Sequence, residues 1–508
     1  MQENFITTIQ YNFPFKQPEI IKHQNRKKHN QYFTPEFAVE KALSLISETN
    51  IKNIIDPAVG NGIFLKISSE KWQSAKLFGI DIDDKMIVNL QKELHSNNTF
   101  FMNADGLKIE AYQKNPEMEK ILSNSRFDLV VGNPPFSSWF SRINDITILS
   151  QYELAGKNGS IQRSQAIEVL FLEKFIQLAK KDGYVVIVLP DGILSNPKDQ
   201  HIREFILRET VVKNIISLPR NVFEDTSAKT SILILQKKWQ DNLNYITKIS
   251  DLGKTGIVNN TVKVSGKDLL KRMDYWYYYN LRKSSMNSLK NNGIQFRPLK
   301  DFVIYCKTGK TLYGKERKFS KKGLRFLHAT NITDIGIDYE KNEKFIDPLS
   351  KMNFPDAYTK VSDIIFVRVG VGCAGRVAIV DSKNDEGVAS DYLHILRVKK
   401  INPYYLVVYL KTKYGRDAIQ LLKHGVGTVS INKTDVLSIP IPFMPDEFQE
   451  KVEKCYKKVI SQFQKGNIDE TTKKLNALIQ DVESELQNGE SYGTEKKKID
   501  SPCAFVSA

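Results

Sequence analysis

The run Asn133-Pro134-Pro135-Phe136 follows an apolar stretch of strand character, Phe127-Asp128-Leu129-Val130-Val131. Two consecutive prolines bring no N–H donors and leave carbonyls unpaired where a strand ends. With a side-chain amide beside them, the segment presents two neighbouring oxygen acceptors. An aromatic amine such as adenine N6 is a poor nucleophile because its lone pair is delocalised into the ring. If the Asn133 side-chain oxygen and the Pro134 carbonyl each accept one of its N–H bonds, the nitrogen can pyramidalise and turn that lone pair toward a sulfonium methyl. Such an attack is an in-line displacement and needs no general base. What remains is positioning, and Phe136 can stack on a base turned out of its helix. A protein glutamine amide or an adenine in RNA would use the same acceptor pair, and a proline-rich turn capped by asparagine is the purely structural alternative.

Two upstream segments can hold a cofactor. Ile54-Ile55-Asp56-Pro57-Ala58-Val59-Gly60-Asn61-Gly62 reads as a strand entering a glycine turn, with a helix after it. At such a turn backbone N–H groups approach a ligand closely. Phe78-Gly79-Ile80-Asp81-Ile82-Asp83 then places an acid at the end of a second strand, where a carboxylate accepts bonds from both ribose hydroxyls. A nicotinamide enzyme shares both features. The third glycine of a dinucleotide fingerprint is missing, however, and the Asn133 segment separates the two readings.

These residues need a scaffold. From Thr34 to about Gln236, β-rich runs at 54–55, 77–80, 127–131, 184–189 and 231–235 alternate with helical periods such as 166–179, the signature of a parallel sheet with crossover helices. The run 184–189 reads as a buried strand, and no apolar run approaches the ~20 residues of a membrane helix. Ahead of this unit, residues 1–30 form a polar arm ending in a basic run, 22–29. Residues 241–295 read as an irregular connector packed on the first domain, carrying Tyr275-Trp276-Tyr277-Tyr278-Tyr279. Residues 296–445 read as a mostly β module with glycine turns at 308–309, 369–372 and 425–427. Residues 446–487 form two amphipathic helices, the first with the stripe Phe448, Val452, Tyr456, Val459 and Phe463, and 488–508 read as a disordered polar tail.

Lysine and arginine outnumber acids 74 to 58, a formal charge of +16 over 508 residues. That suits a polyanionic partner, although a lysine-rich solvated surface has the same composition. Cys306, Cys373, Cys455 and Cys503 lie far apart, which predicts a reducing cytoplasm and no structural metal.

Residues 31–240 resemble the gamma class of N6-adenine DNA methyltransferases, a Rossmann-like α/β fold in which the cofactor motif precedes the catalytic one. The resemblance is carried by Tyr32-Phe33-Thr34-Pro35, the loop from Asp56 to Gly62, Asp81-Ile82, Asn103-Ala104-Asp105-Gly106, Asn133-Pro134-Pro135-Phe136 and Leu218-Pro219-Arg220-Asn221-Val222-Phe223. It implies S-adenosyl-L-methionine as cofactor. Thr34 would meet the methionine part, Asp56, Ala58 and Gly60 form the main loop, Asp81 takes the ribose, and Ile82 and Asp105 take the adenine ring and its amine. Asn133, Pro134 and Phe136 would be catalytic, Asn133 also bordering the cofactor, and Phe223 would give the target adenine a second wall. Phe136 stands where many relatives have tyrosine, which keeps the stacking face.

Residues 296–487 resemble half of a type I restriction specificity subunit, a target-recognition domain followed by its long helix. Thr308-Gly309-Lys310, the segment 324–332, 362–370, Gly375-Arg376-Val377-Ala378 and 431–442 carry this likeness. Lys310, Lys315, Arg317, Lys318, Lys321 and Lys322 suit groove and phosphate contact, with Arg368 and Arg376 beside glycines as further candidates; a solvated face is the plainer reading. The resemblances imply double-stranded DNA as partner, site-specific methylation of adenine N6 in restriction–modification or epigenetic marking, and a cytoplasmic, DNA-associated protein of a bacterium or archaeon. They also leave open a modification subunit of a larger restriction complex. Specificity subunits join two recognition domains by such helices, so a homodimer through the C-terminal helices would restore the pair. A restriction endonuclease is a further expected partner, since the stretch ahead of residue 31 is too short for a nuclease domain.

Overall fold

The structure, a computed structural model, describes residues 33–137, 140–157, 159–220, 222–223, 229–238, 243–291, 294–424 and 429–488. The basic arm, Tyr32, Asn221, the glycine turn at 425–427 and the tail from 489 lie outside the described residues.

The first half is built on one nine-stranded sheet. Its strands are β1 (Asn53–Asp56), β2 (Lys76–Asp81), β3 (Thr99–Asn103), β4 (Phe127–Gly132), β5 (Ala179–Pro190), β6 (Thr210–Ser217), β7 (Thr230–Lys237), β8 (Ile246–Leu252) and β9 (Val258–Ser265), in the order β9-β8-β6-β7-β5-β4-β1-β2-β3. From β3 to β5 the neighbours are parallel, and β7 runs antiparallel to both β5 and β6. β4 is buried along its whole length, as a central strand covered on both faces must be. Alternate residues of β4 and β5 feed opposite layers. Val130, Val185 and Ile187 join one core, while Leu129, Val131, Val186 and Val188 join the other, with α1 (Glu36–Ser44) and α2 (Ile63–Lys71). Helices α3 (Asp84–Glu93) and α4 (Ile167–Leu178) complete the crossovers used below. The chain leaves β1 toward β2 on one side and returns on the other side as β4. The loops after β1 and β4 therefore diverge and open a crevice at the carboxyl ends of the strands.

The irregular reading of 241–295 is corrected. β8 and β9 extend the sheet beyond β6, with Ile249, Val262 and Val264 pointing into its core. Most of their outward positions are polar, Lys248, Ser250, Asn259 and Lys263 among them, which hides the strand pattern. Tyr275 and Tyr278 of α5 (Tyr275–Lys283) pack on the same core, whereas Met286 and Leu289, in the next helix, belong to the core of the second half.

That second half combines a four-stranded antiparallel sheet with shorter pairings and helices. β10 (Phe296–Pro298) pairs with β18 (Pro440–Pro442). β11 (Val303–Thr308), β17 (Leu393–Val398), β14 (Ile364–Val367) and β15 (Val377–Ile379) lie in that order, and β12 (Leu324–Leu327) runs between β13 (Phe345–Ile346) and β16 (Gly387–Ala389). Within it α6 (Pro403–Lys411) packs against α8 (Asp446–Gln464) and α9 (Ile468–Asn488), and α7 (Lys413–Leu421) packs against α6 and α5. The stripe expected on α8 is internal: Phe448, Val452, Tyr456 and Val459 are buried in this core and Phe463 packs on it. No helix among the described residues is long and apolar enough to cross a membrane.

Candidate active site

The crevice at the ends of β1, β2 and β4 is a cavity of about 290 Å³. Thr34, Asp56, Ala58, Gly60, Asp81, Ile82, Asp105, Asn133 and Pro134 all line it, so residues spread over a hundred positions meet in one place. The loop after β1 turns at Gly60 (φ +52°) and Gly62 (φ +74°), conformations that side chains disfavour. It is tied to β2 by the Val59 N–H, which donates to the Ile80 carbonyl (2.9 Å).

Asp81 is oriented by two backbone donors, Gly60 N–H to Oδ2 (2.8 Å) and Asp83 N–H to Oδ1 (2.9 Å). Each carboxylate oxygen keeps a lone pair for a ligand hydroxyl. Asp105 is held by the Leu107 N–H (3.0 Å). Ile82 lies on the cavity with 76% of its surface exposed, an apolar shelf for a flat ring. Asp56 is fully buried. Loss of water pushes its carboxyl well above the usual range, and nearby Asp81 adds to this although the Ala58 N–H opposes it. Burial likewise raises Asp81. The Thr34 hydroxyl oxygen is buried on the same wall with no hydrogen-bond partner among the described residues. An orphaned hydroxyl, two destabilised carboxylates and an exposed apolar shelf suit a ligand with a cationic amino-acid end, a ribose and a purine. S-adenosylmethionine has all three.

Three residues with no role assigned from sequence shape the site. A Cβ on Gly132, which ends β4 at φ +150°, would collide with the Asp56 carboxylate, and one on Gly106 would collide with the Pro57 carbonyl. Glu168, buried in the first turn of α4, accepts from Ser137 N–H (2.7 Å) and Ser137 Oγ (2.8 Å), fixing the chain one residue after Phe136.

Phe136 and Phe223 are not on the cavity. Each is only 2% exposed, and both belong to the apolar core shared with Val131, Val188 and Leu218. Rings beside strand ends are favourably buried when no base competes for their faces. Phe140, Ile167 and Phe171 supply the cavity's apolar wall instead. The basic candidates stand apart from it. Lys310 pairs with Asp356 (2.8 Å), Arg376 with Asp334 (3.3 Å), and Arg368 donates to the Asp391 carbonyl (2.9 Å). Lys315, Lys318, Lys321 and Lys322 are exposed and Arg317 is half-buried.

Comparison with known proteins agrees with this division. Residues 291–480 match the type I restriction modification DNA specificity domain. The methylase subunit of the type I restriction enzyme MpnII from Mycoplasma pneumoniae is 24% identical over 278 residues, 52% of this chain and 50% of that protein. The type II methyltransferase M.AccI of Acinetobacter calcoaceticus is 23% identical over 305 residues, 56% of this chain and 51% of that protein. The chain thus spans about half the length of the curated relatives it matches. The type IIL restriction-modification enzyme MmeI, solved in complex with DNA, superposes with a TM-score of 0.52 at 11% identity over 88% of this chain and 72% of that one, a likeness of fold. Residues 20–293 match the N-6 DNA methylase model, whose members use S-adenosylmethionine as cofactor. With more than half of its 508 residues inside that match, the chain belongs to the N-6 DNA methylase family.

Proposed function

We propose that the chain is a site-specific DNA methyltransferase of a restriction–modification system that methylates N6 of an adenine flipped out of double-stranded DNA. One observation carries this reading: Asn133 and Pro134 line the same cavity as the cofactor-type residues Asp56, Asp81 and Asp105. When bound, S-adenosylmethionine supplies an electrophilic methyl on a sulfonium. The Asn133 side-chain oxygen and the Pro134 carbonyl accept the two N–H bonds of the adenine amine and direct its lone pair. The surrounding apolar wall of Phe140, Ile167 and Phe171 excludes water. Phe136 and Phe223 take the base between them once DNA binding uncovers their rings. The residues from 296 onward choose the DNA site.

Methyl transfer from labelled S-adenosylmethionine to duplex DNA, RNA and protein, followed by sequencing of modified bases, tests the reading; transfer to RNA or protein alone rejects it. Asn133→Ala is expected to keep cofactor and DNA affinity while the barrier rises by roughly 3–4 kcal/mol, the scale of removing an oxyanion donor. Near-normal turnover in that variant contradicts the chemistry.

Work alongside a restriction endonuclease, in the cytoplasm where DNA is, is part of the same proposal, and methylation by purified protein with and without added subunits tests it. Pairing of two chains through the C-terminal helices would have to use their outer faces, because the α8 stripe is covered within the chain. Light scattering at micromolar concentration, with and without DNA, decides between one copy and two.

A further inference from the structure

We propose that Arg317, braced on Phe319 and flanked by Tyr313 and Asp391, reads a guanine from its major-groove edge within the DNA site. This rests on the reading of the chain as a DNA methyltransferase and adds what that reading lacks, a residue that senses sequence.

Most basic side chains around it are occupied or plainly solvated, whereas Arg317 is neither. It is half-buried, and among the described residues it forms no ion pair and its buried Nε has no hydrogen-bond partner. A buried donor left unpaired is costly unless a partner arrives. Its guanidinium lies 5.3 Å from the centre of the Phe319 ring, and Lys344 Nζ also packs on that ring at 5.0 Å. The fork is therefore held before any ligand binds, which lowers the entropy lost on making two bonds at once.

The neighbours have the complementary polarity. Tyr313, 60% exposed, donates its hydroxyl to Asp391 Oδ2, and Asp391 Oδ1 is buried without a partner among the described residues. Arg317 and Asp391 both act on the Tyr313 hydroxyl, yet they form no ion pair with each other. His328 lies within the field of both, its ring tilted at 44° against Tyr392 with centroids 4.9 Å apart. Unpaired donors and acceptors on aromatic supports are what base edges require, since guanine O6 and N7 take two parallel N–H bonds. Phosphate contact needs only a mobile charge, which Lys315 and Lys318 on the same exposed loop provide.

A run of contacts links this cluster to the catalytic half. Arg368 donates to the Asp391 carbonyl (2.9 Å) and the Gly370 N–H to Val429 (3.1 Å), while His424, paired with Ser430, meets the Ser195 carbonyl at 3.1 Å. A duplex read at Arg317 would thus lie against the same body that holds Asn133.

The test starts from the motif methylated by the wild-type protein, found by sequencing modified DNA from expressing cells. Arg317→Ala and Arg317→Lys are then assayed on duplexes carrying each base at each motif position. Both variants are expected to lose roughly tenfold to hundredfold discrimination at one guanine position, with the salt dependence of DNA binding unchanged. Unchanged discrimination at every position in the lysine variant overturns the proposal. So does uniform weakening on all sequences with a salt slope shallower by about 1, which marks a phosphate contact. If melting shows that the alanine variant does not fold, the lysine variant, which keeps the charge and stem but loses the fork, decides alone. Wild-type protein that methylates no duplex DNA removes the underlying reading and this proposal with it, so the two failures are told apart.

Discussion

Asp56 shows how a single residue can trade stability for ligand binding. Its carboxyl is buried beside Asp81 and its pKa lies well above the ordinary 3.8, chiefly through loss of water. The folded chain therefore holds a proton there that the unfolded chain releases. Stability from this group is complete below the unfolded value and is lost as pH rises through the folded one. At neutral pH an acid in this position weakens the ligand-free protein, and a cationic ligand in the cavity reverses the effect. Asp56→Asn should melt above wild type at neutral pH without cofactor, at a scale of about 2–4 °C per kcal/mol for a domain of this size. Near the ordinary carboxylate value the two should converge, and S-adenosylmethionine should bind the variant more weakly. Thermal melts at both pH values with calorimetric titration check this; an asparagine variant less stable than wild type at neutral pH runs against it.

At the scale of elements, α4 serves as a brace for the Asn133 loop. Glu168 in its first turn accepts both hydrogen bonds from Ser137, while Ile167 and Phe171 of the same helix form the cavity wall. Removing the brace should loosen the acceptor pair without touching the cofactor loop after β1. Glu168→Ala is expected to lower single-turnover methylation about a hundredfold, the effect of a small misplacement at a reacting centre, with cofactor affinity preserved. Equal loss of cofactor binding would show a collapsed site rather than a misplaced loop. This brace was not legible in the sequence, because a glutamate in the first turn of a helix looks solvated until the fold brings Ser137 against it from 31 residues away. Asp56, Asp81 and Asn133 were legible because each closes or follows a run of strand character and its chemistry is unusual there, whereas Asp105 came only from the resemblance of 103–106 to the family motif. The same logic explains the elements. β1, β2, β4 and β5 announce themselves as apolar runs between turns. α6 does not, since a continuous run of tyrosine, leucine and valine has no period to read. Its one clear signal is Asn402 before Pro403, whose side chain accepts from the Tyr404 and Tyr405 N–H groups.

For the whole molecule, the quantity on which the proposed function depends is the separation between the proposed DNA-reading surface and the cavity. That separation is set at the junction around α7. Arg272 is buried against Asp274, contacting both carboxylate oxygens (2.6 and 3.0 Å), and its Nη1 reaches the carbonyls of Leu421 (3.4 Å) and Lys423 (3.1 Å). Asp417 on α7 accepts from both the backbone and the hydroxyl of Ser285, each at 2.7 Å, and His424 joins Ser195 to Asp435. Arg272→Lys keeps a positive charge for Asp274 but loses the fork that also spans to the second half. Each half retains its own core, so cofactor affinity and DNA affinity should change little. Methylation at the target site is expected to fall about tenfold, within the range of a coupling of ~1–3 kcal/mol between sites. The deficit should be smaller on DNA whose target adenine is mispaired, because a base that leaves the helix more easily depends less on exact delivery. Rates measured on matched and mismatched duplexes separate these terms. An equal loss on both would place the role of Arg272 in folding rather than in alignment.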